Sequence, residues 1–357
     1  MHGEYCLLNK GSMGKRKIPS MSNAFGKEGV SMSKVRYRWA TLGCGVIGNE
    51  LARAMQALGG GLYAVGNRTQ RKAQEFAAQY GIPKVYERME DVFDDPNVDI
   101  IYISTPHNTH INYLMPALSA GKHVLCEKSI TLNSGELARA VDCARTHGVV
   151  LAEAMTIYHM PIYRRLKELI AGGSLGPLRM IQMNFGSFKE YDMENRFFCR
   201  ELAGGAMLDI GVYALSFVRY FLSSQPTELL SQVKYAPTGV DEQASILLKN
   251  AEEEMAAITL SLHAKQPKRG TIAYENAYIE MFEYPRGERA RITWTADGRT
   301  EEIAAGATAD ALMYEVLDME AAVAGERDDM HLDYTIDVMD LMTQIRRSWG
   351  MKYPEEE

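Results

Sequence analysis

Two spacings of apolar residues alternate along positions 38–154. Short stretches at 38–42, 62–66, 83–86, 99–104, 123–126 and 149–154 are largely apolar, as strands buried on both faces of a sheet should be. Between them the apolar positions open out to threes and fours: Leu51, Met55 and Leu58, then Ala73, Phe76, Ala77 and Tyr80, then Ile111, Leu114, Met115 and Leu118. That is the stripe of a helix with one face on a core. Asn133 or Ser134 can cap a further helix ahead of the sixth strand. Strand and helix in regular alternation predict an α/β unit with a doubly wound parallel sheet.

Beyond residue 156 the pattern changes. A helical stripe at 160–171 (Ile162, Leu166, Leu169, Ile170) stops at Gly172-Gly173. Strand-like runs then follow at 178–188, 229–235, 244–248, 256–263, 277–282 and 290–294, with a helix at 205–222 among them and two more near 309–324 and 334–349. Short links such as 249–252 favour antiparallel pairing. The division expected is a first domain over 34–155 and a second, α+β domain over 156–357. Residues 1–33 hold little apolar periodicity. They read as a disordered tail, or as sequence ahead of an alternative start at Met13, Met21 or Met32.

The first strand runs into Gly43-Cys44-Gly45-Val46-Ile47-Gly48, a Gly-x-Gly-x-x-Gly loop that opens a helix. In that context the pattern is a dinucleotide fingerprint, which makes the first domain a Rossmann fold. Gly43 permits the tight turn, Gly45 lets the backbone approach a pyrophosphate, and Gly48 lets helix and strand pack closely. The free N–H groups of the first turn, from Val46 and Ile47 onward, then face the anion. About 20 residues further on, an acid would bind the ribose 2′-hydroxyl of NAD. This chain has Asn67 and Arg68 there, with Arg71 and Lys72 near. A guanidinium pairs with a 2′-phosphate that a carboxylate would repel, so NADP is favoured, with NAD possible. The fourth strand ends in Ser104-Thr105-Pro106-His107-Asn108-Thr109-His110, a loop at the carboxyl edge of the sheet and so part of the cofactor cleft. His107 and His110 read as cofactor contacts or capping residues, because no neighbouring Asp, Glu or Cys completes a metal set; no metal is expected.

Composition narrows the class. The net charge of −7 offers no basic footprint for nucleic acid or an anionic membrane. No apolar run approaches the roughly 20 residues of a bilayer span. Five scattered cysteines without a Cys-x-x-Cys pair suit a reducing, cytoplasmic setting. In the 205–222 helix, Asp209 and Tyr213 stand four apart on one face. An Asp in so apolar a helix implies a partner or a task.

These motifs carry a resemblance. The glycine loop, Thr105-Pro106, Ala120-Gly121-Lys122-His123-Val124 and Glu127-Lys128 follow the order and spacing of the glucose–fructose oxidoreductase/inositol dehydrogenase/rhizopine catabolism (Gfo/Idh/MocA) family. So do Glu153-Ala154-Met155, His159, Pro161 and the run from Gly204 to Tyr213. The tail, with Ile345-Arg346-Arg347, Trp349-Gly350 and Tyr353-Pro354, is similar as well. The match spans about residues 35–355, and its nearest branch resembles the dimeric dihydrodiol dehydrogenases and NADP-dependent D-xylose dehydrogenases. One departure is Ser129, where the family has proline; proline would hold Lys128 extended.

The resemblance implies an open, mostly antiparallel sheet in the second domain, with helices on one face and the other face free for a homodimer or higher oligomer. It implies hydride transfer between nicotinamide and a sugar, polyol or vicinal diol. Lys128, Asp209 and Tyr213 would be the catalytic set, with either Lys128 or Tyr213 moving the proton. A nearby ammonium would favour tyrosinate, and burial would lower the lysine's pKa. Glu127 and Lys128 would adjoin the cofactor, and Tyr158, His159 and Arg196 would contact substrate. An NAD-linked inositol-type dehydrogenase and a non-enzymatic cofactor-sensing regulator are the competing readings. The first is disfavoured by tyrosine at 213, the second by the intact proton machinery.

Overall fold

The structure, a computed structural model, describes residues 35–357; the tail expected at 1–33 lies outside the described residues. The first half alternates β1 (Trp39–Leu42), α1 (Val46–Ala57), β2 (Ala64–Gly66), α2 (Gln70–Tyr80), β3 (Lys84–Val85), β4 (Ile100–Ile103), α3 (His110–Ser119), β5 (His123–Glu127), α4 (Ser134–His147) and β6 (Leu151–Ala154). The six strands pair in parallel in the order β3-β2-β1-β4-β5-β6. Every residue of β1, β4 and β6 is buried, which is why those segments lack polar alternation. Strand order reverses between β1 and β4, and a ligand crevice opens beyond the carboxyl ends there. Asn133 caps α4, its side chain accepting the Glu136 N–H at 3.0 Å.

The second half begins with two short-linked helices, α5 (Thr156–His159) and α6 (Pro161–Ala171), then β7 (Leu178–Gly186). A π-helical turn (Met207–Gly211) leads into α7 (Val212–Phe221). Seven strands follow: β8 (Glu228–Tyr235), β9 (Asp241–Lys249), β10 (Met255–Ser261), β11 (Arg269–Tyr274), β12 (Ala277–Phe282), β13 (Arg289–Trp294) and β14 (Thr300–Ala304). Helices α8 (Ala311–Val323) and α9 (Leu332–Ser348) complete the set. The sheet order is β14-β13-β12-β11-β7-β10-β9-β8, antiparallel throughout except for β7 with β10. One sheet face packs on α7, whose Phe217 and Phe221 join the main core. The other face carries exposed Leu230, Leu247, Met255 and Tyr278.

Three features differ from the sequence reading. Strands β11 and β14 were not expected, because Gly270 in one and the charged Thr300–Ala304 run in the other mask the apolar alternation. The stretch Arg200–Phe221 is, by length and composition, apolar enough to cross a bilayer, contrary to the expectation above. Its apolar window is 78% buried inside the fold, as in a core helix. The single helix expected at 205–222 begins instead as a π turn, for reasons that lie in the site.

Candidate active site

A cleft of about 560 Å³ lies over the carboxyl edge of the parallel sheet. Its floor is the glycine loop. Gly43 takes φ of +105°, and a Cβ there would lie 2.8 Å from the Ser104 carbonyl oxygen. Over Gly45 the space is open, with nothing within 4 Å of where a Cβ would be. The first turn of α1 has no side-chain cap and no acid, and Val46 is 81% exposed at the cleft floor. Uncapped N–H groups, a clear approach and an uncovered apolar side chain together fit a dinucleotide pyrophosphate. Ser104, Thr105, Pro106, His107, Glu127 and Lys128 line the same cleft. Arg68 lies exposed beyond β2, and Asn67 folds back to donate to the Thr69 carbonyl at 3.0 Å.

At the other end of the cleft Lys128, Asp209 and Tyr213 converge. Lys128 Nζ donates to the Asp209 backbone carbonyl at 2.6 Å and lies 3.4 Å from Asp209 Oδ1. The same ammonium sits 4.7 Å from the Tyr213 ring centroid. The Tyr213 hydroxyl has no protein hydrogen-bond partner among the described residues and faces the cleft. Arg196 lines the cleft with its guanidinium 3.9 Å from Asp209 and stacked on Phe197.

Electrostatics set the protonation states. Burial pushes the Asp209 carboxyl up, but Lys128 and Arg196 outweigh it and hold the group below its ordinary range. Burial likewise pulls Lys128 down, yet Tyr213, Asp209 and Glu127 prevail and raise it. The lowered lysine pKa expected from burial alone is therefore corrected. Tyr213 is pushed up to about 12, burial outweighing the attraction of Lys128, so tyrosinate is not the resting state either. His107 is depressed to about 3 by burial and by Lys128, leaving a neutral imidazole. Glu127 rises to about 7 through burial and the nearby Glu315, and it accepts a hydrogen bond from Tyr102.

The π turn explains how Asp209 is presented. Two successive carbonyls of that turn accept from the loop after β5: Leu208 from Ser129 Oγ at 3.1 Å, Asp209 from Lys128. At the start of the turn, buried Asp241 accepts the Met207 N–H at 2.6 Å. Groups from outside the helix, two donors on its carbonyls and the Asp241 acceptor at its first N–H, thus hold the segment where it takes the wider turn. At Gly211 a Cβ would come within 2.9 Å of Met207 Sδ. The Tyr353 hydroxyl donates to the Gly204 carbonyl at 2.7 Å, so the chain's tail steadies the Gly-Gly turn. The Lys128–Ser129 peptide bond is cis.

Three expected contacts lie elsewhere. Tyr158 is fully buried among Tyr220, His331 and Tyr334. His159 is fully buried too, its Nδ1 2.8 Å from Asp318, which also pairs with Arg164 and Arg327. Both ride on α5, a single turn that directs them against α7, α8 and α9 rather than into the cleft. His110 places its ring nitrogens 2.8 Å and 3.0 Å from the carbonyls of Thr105 and Ser129. It ties two cleft loops together from behind. The sequence reading in turn passed over Phe197, Leu202 and Ala203, which line the cleft, and Lys189, which lies over Phe197. Their one signal was proximity to Arg196.

Residues 37–155 match the family model described as oxidoreductase family, NAD-binding Rossmann fold, and residues 163–280 match the GFO/IDH/MocA C-terminal domain. The chain belongs to the GFO/IDH/MocA oxidoreductase family. It is 33% identical over 242 residues to mouse trans-1,2-dihydrobenzene-1,2-diol dehydrogenase, covering 66% of this chain and 72% of the relative. The human protein of that name is 32% identical over 248 residues, covering 68% and 74%. Among solved structures, an Actinomadura kijaniata 3-ketoreductase in complex with NADP and TDP-benzene superposes with a TM-score of 0.77 at 21% identity, covering 87% of this chain and 97% of that one. UDP-N-acetylglucosamine 3-dehydrogenase from Acidithiobacillus ferrooxidans gives 0.75 at 20% identity, with 87% and 97% covered. The protein is a nicotinamide-dependent oxidoreductase with a parallel Rossmann sheet and a second, mostly antiparallel one.

Proposed function

We propose that the protein is an NADP-dependent dehydrogenase or reductase of CH–OH groups in a sugar, polyol or vicinal diol, and that it works as a homodimer. One observation carries the reading: Lys128, Asp209 and the unpartnered Tyr213 hydroxyl meet at one end of the cleft whose other end is a bare helix N-terminus. When bound, the nicotinamide takes up or returns a hydride. The chain's residues bind, orient and move a proton. Asp209 holds the Lys128 ammonium, and that ammonium lies against the Tyr213 ring. Tyr213, as the group without a protein partner, meets the substrate oxygen. It gives its proton to a carbonyl oxygen in reduction and recovers one from the hydroxyl in oxidation. The resting states, ammonium and phenol, hold both protons ready for the reductive direction.

NADP is preferred because the end of β2 offers Arg68 and no carboxylate. The relatives named as dihydrodiol dehydrogenases and the NADP-bound ketoreductase support the substrate class and the cofactor. The deciding experiment follows cofactor reduction by absorbance with aldoses, inositols and vicinal diols, each with NADP and with NAD. Turnover with NADP is expected, and Arg68→Ala should weaken NADP by roughly 10- to 100-fold, the worth of a hydrogen bond to a charged group, and NAD far less. Equal losses for both cofactors would remove Arg68 as the phosphate reader. Cofactor binding with silence across the panel would overturn the sugar, polyol and diol substrate class.

A further inference from the structure

The substrate end of the cleft is cationic in a chain whose net charge is −7. Phe197 forms part of its wall. Two cations lie on that ring, Lys189 Nζ at 4.1 Å and the Arg196 guanidinium at 4.2 Å from its centroid. A third, Lys268, stands 5.4 Å from the centroid of Phe185, and the Phe185 ring is 6.1 Å from that of Tyr213. Lys128 is the fourth. Against these stand Asp209, taken up by Lys128 and Arg196, Glu127 next to Lys128, and Glu283, 3.8 Å from Lys268. Lys189 has no carboxylate partner among the described residues. Its charged neighbours are Arg196, Lys128 and Lys268 besides Asp209, and burial draws its pKa down. Arg286, also near Tyr213, is paired with Glu50 at 2.8 Å.

A half-buried ammonium among like charges is costly unless something negative completes the set. The dinucleotide's pyrophosphate belongs at the glycine loop, the opposite end of the cleft. Phe197 contributes apolar wall to the cleft, and the two cations over its ring stand where a charged group of the substrate would arrive. We propose that the substrate carries an anionic group, a carboxylate or a phosphate, which lies between Lys189 and Arg196 at Phe197 while its hydroxyl carbon lies beside Tyr213. This rests on the reading above that the cleft acts on CH–OH groups. It narrows the class to acidic or phosphorylated sugars and acidic diols.

The test uses the NADP-loaded protein with D-glucose, D-glucuronate and D-glucose 6-phosphate, which share a ring and differ in charge. Calorimetry gives a dissociation constant for each, and cofactor reduction gives kcat/KM. The acidic members should bind about 10-fold more tightly than glucose, the low end for a charge-assisted hydrogen bond at a partly solvated site. The advantage should shrink as salt rises. In Lys189→Ala the ratio of acidic to neutral binding should fall toward one, and in Lys189→Arg it should persist. Whichever anion shows the larger ratio identifies carboxylate or phosphate as the group recognised. Equal binding of charged and neutral sugars, or a ratio unmoved in Lys189→Ala, overturns the proposal and leaves the dehydrogenase reading in place. Tighter anion binding that depends on Lys189, without turnover of any compound in this set or the wider panel, upholds the anion site and overturns the sugar, polyol and diol substrate class instead.

Discussion

Residues differ in how far their roles can be read from the chain alone. Lys128, Asp209 and Tyr213 were legible because short motifs carry them, and the fold brings the three within contact. Their protonation was not, since burial and neighbours oppose each other and only geometry says which prevails. Tyr158 and His159 were misread for a related reason. What decides His159 is Asp318, 159 residues away on α8, and no local pattern announces it. With Lys128 an ammonium and Tyr213 a phenol, Tyr213→Phe and Lys128→Met should each cut kcat by about 10²–10⁴-fold, as loss of a general acid–base group does. Cofactor affinity measured by fluorescence should change less in Tyr213→Phe than in Lys128→Met, because Lys128 also borders the cofactor loops. Unchanged turnover in both would end the proposal. Ser129 stands where the family has proline and uses its hydroxyl to hold the Leu208 carbonyl. Ser129→Ala removes one buried hydrogen bond, worth about 1 kcal/mol. The expected result is a several-fold fall in kcat as the Asp209 turn loosens, with NADP affinity retained; a full wild-type kcat would deny Ser129 that positioning role.

At the scale of elements, the Rossmann half was the more readable. Its inner strands β1 and β4 are buried on both faces and so read as nearly continuous apolar runs, and its helices repeat a clean stripe. The second sheet has one free face, so its strands alternate, and two of them disappeared behind a glycine and a charged run. The π turn was unreadable because the groups that hold it, from Lys128, Ser129 and Asp241, come from distant parts of the chain. Strand β6 shows what such a buried element tolerates. Glu153 lies 1% exposed within it, accepting the Ile130 N–H at 3.0 Å and the Thr335 hydroxyl at 3.1 Å. Burial lifts its pKa to about 7 despite those two hydrogen bonds. A carboxyl raised from 4.5 to about 7 on folding adds stability that is complete below pH 4.5 and is lost as pH rises through 7. Glu153→Gln keeps an acceptor for Ile130, and the Thr335 hydroxyl can turn to accept from the new amide. Denaturant titrations at pH 5 and pH 8 should therefore show the variant gaining on the wild type by about 2–3 kcal/mol between the two, the roughly two pH units between 5 and the folded pKa at 1.36 kcal/mol each. A gap that does not change with pH would mean Glu153 is ionised in the folded protein.

The whole molecule is organised by two sheets with opposite needs. The parallel one is covered on both sides, and its exposed edge beyond the strands becomes the cofactor cleft. The antiparallel one is covered on one side only. On its free face Leu230 pairs with Leu247 in register, and Met255, Met180, Ala273 and Tyr278 form a neighbouring row. Eight strands spaced about 4.8 Å apart make a face roughly 34 Å across. With strands about 20 Å long it offers some 700 Å², close to the roughly 800 Å² each partner contributes to a standard interface. A two-fold axis through such a face would bring each apolar row against its own copy. That arrangement leaves both clefts outside the interface, since the cleft is built from the opposite, helix-covered side. Sedimentation of the wild type should therefore show a dimer. Leu247→Glu, which sets a charge beside Leu230 on the β8–β9 side of the patch, should shift it to monomer at micromolar concentration. NADP binding should survive in that monomer, because no residue lining the cleft lies on the free face. A wild-type monomer, or a dimer indifferent to Leu247→Glu, would remove the sheet face as the interface and leave its exposed leucines without a partner.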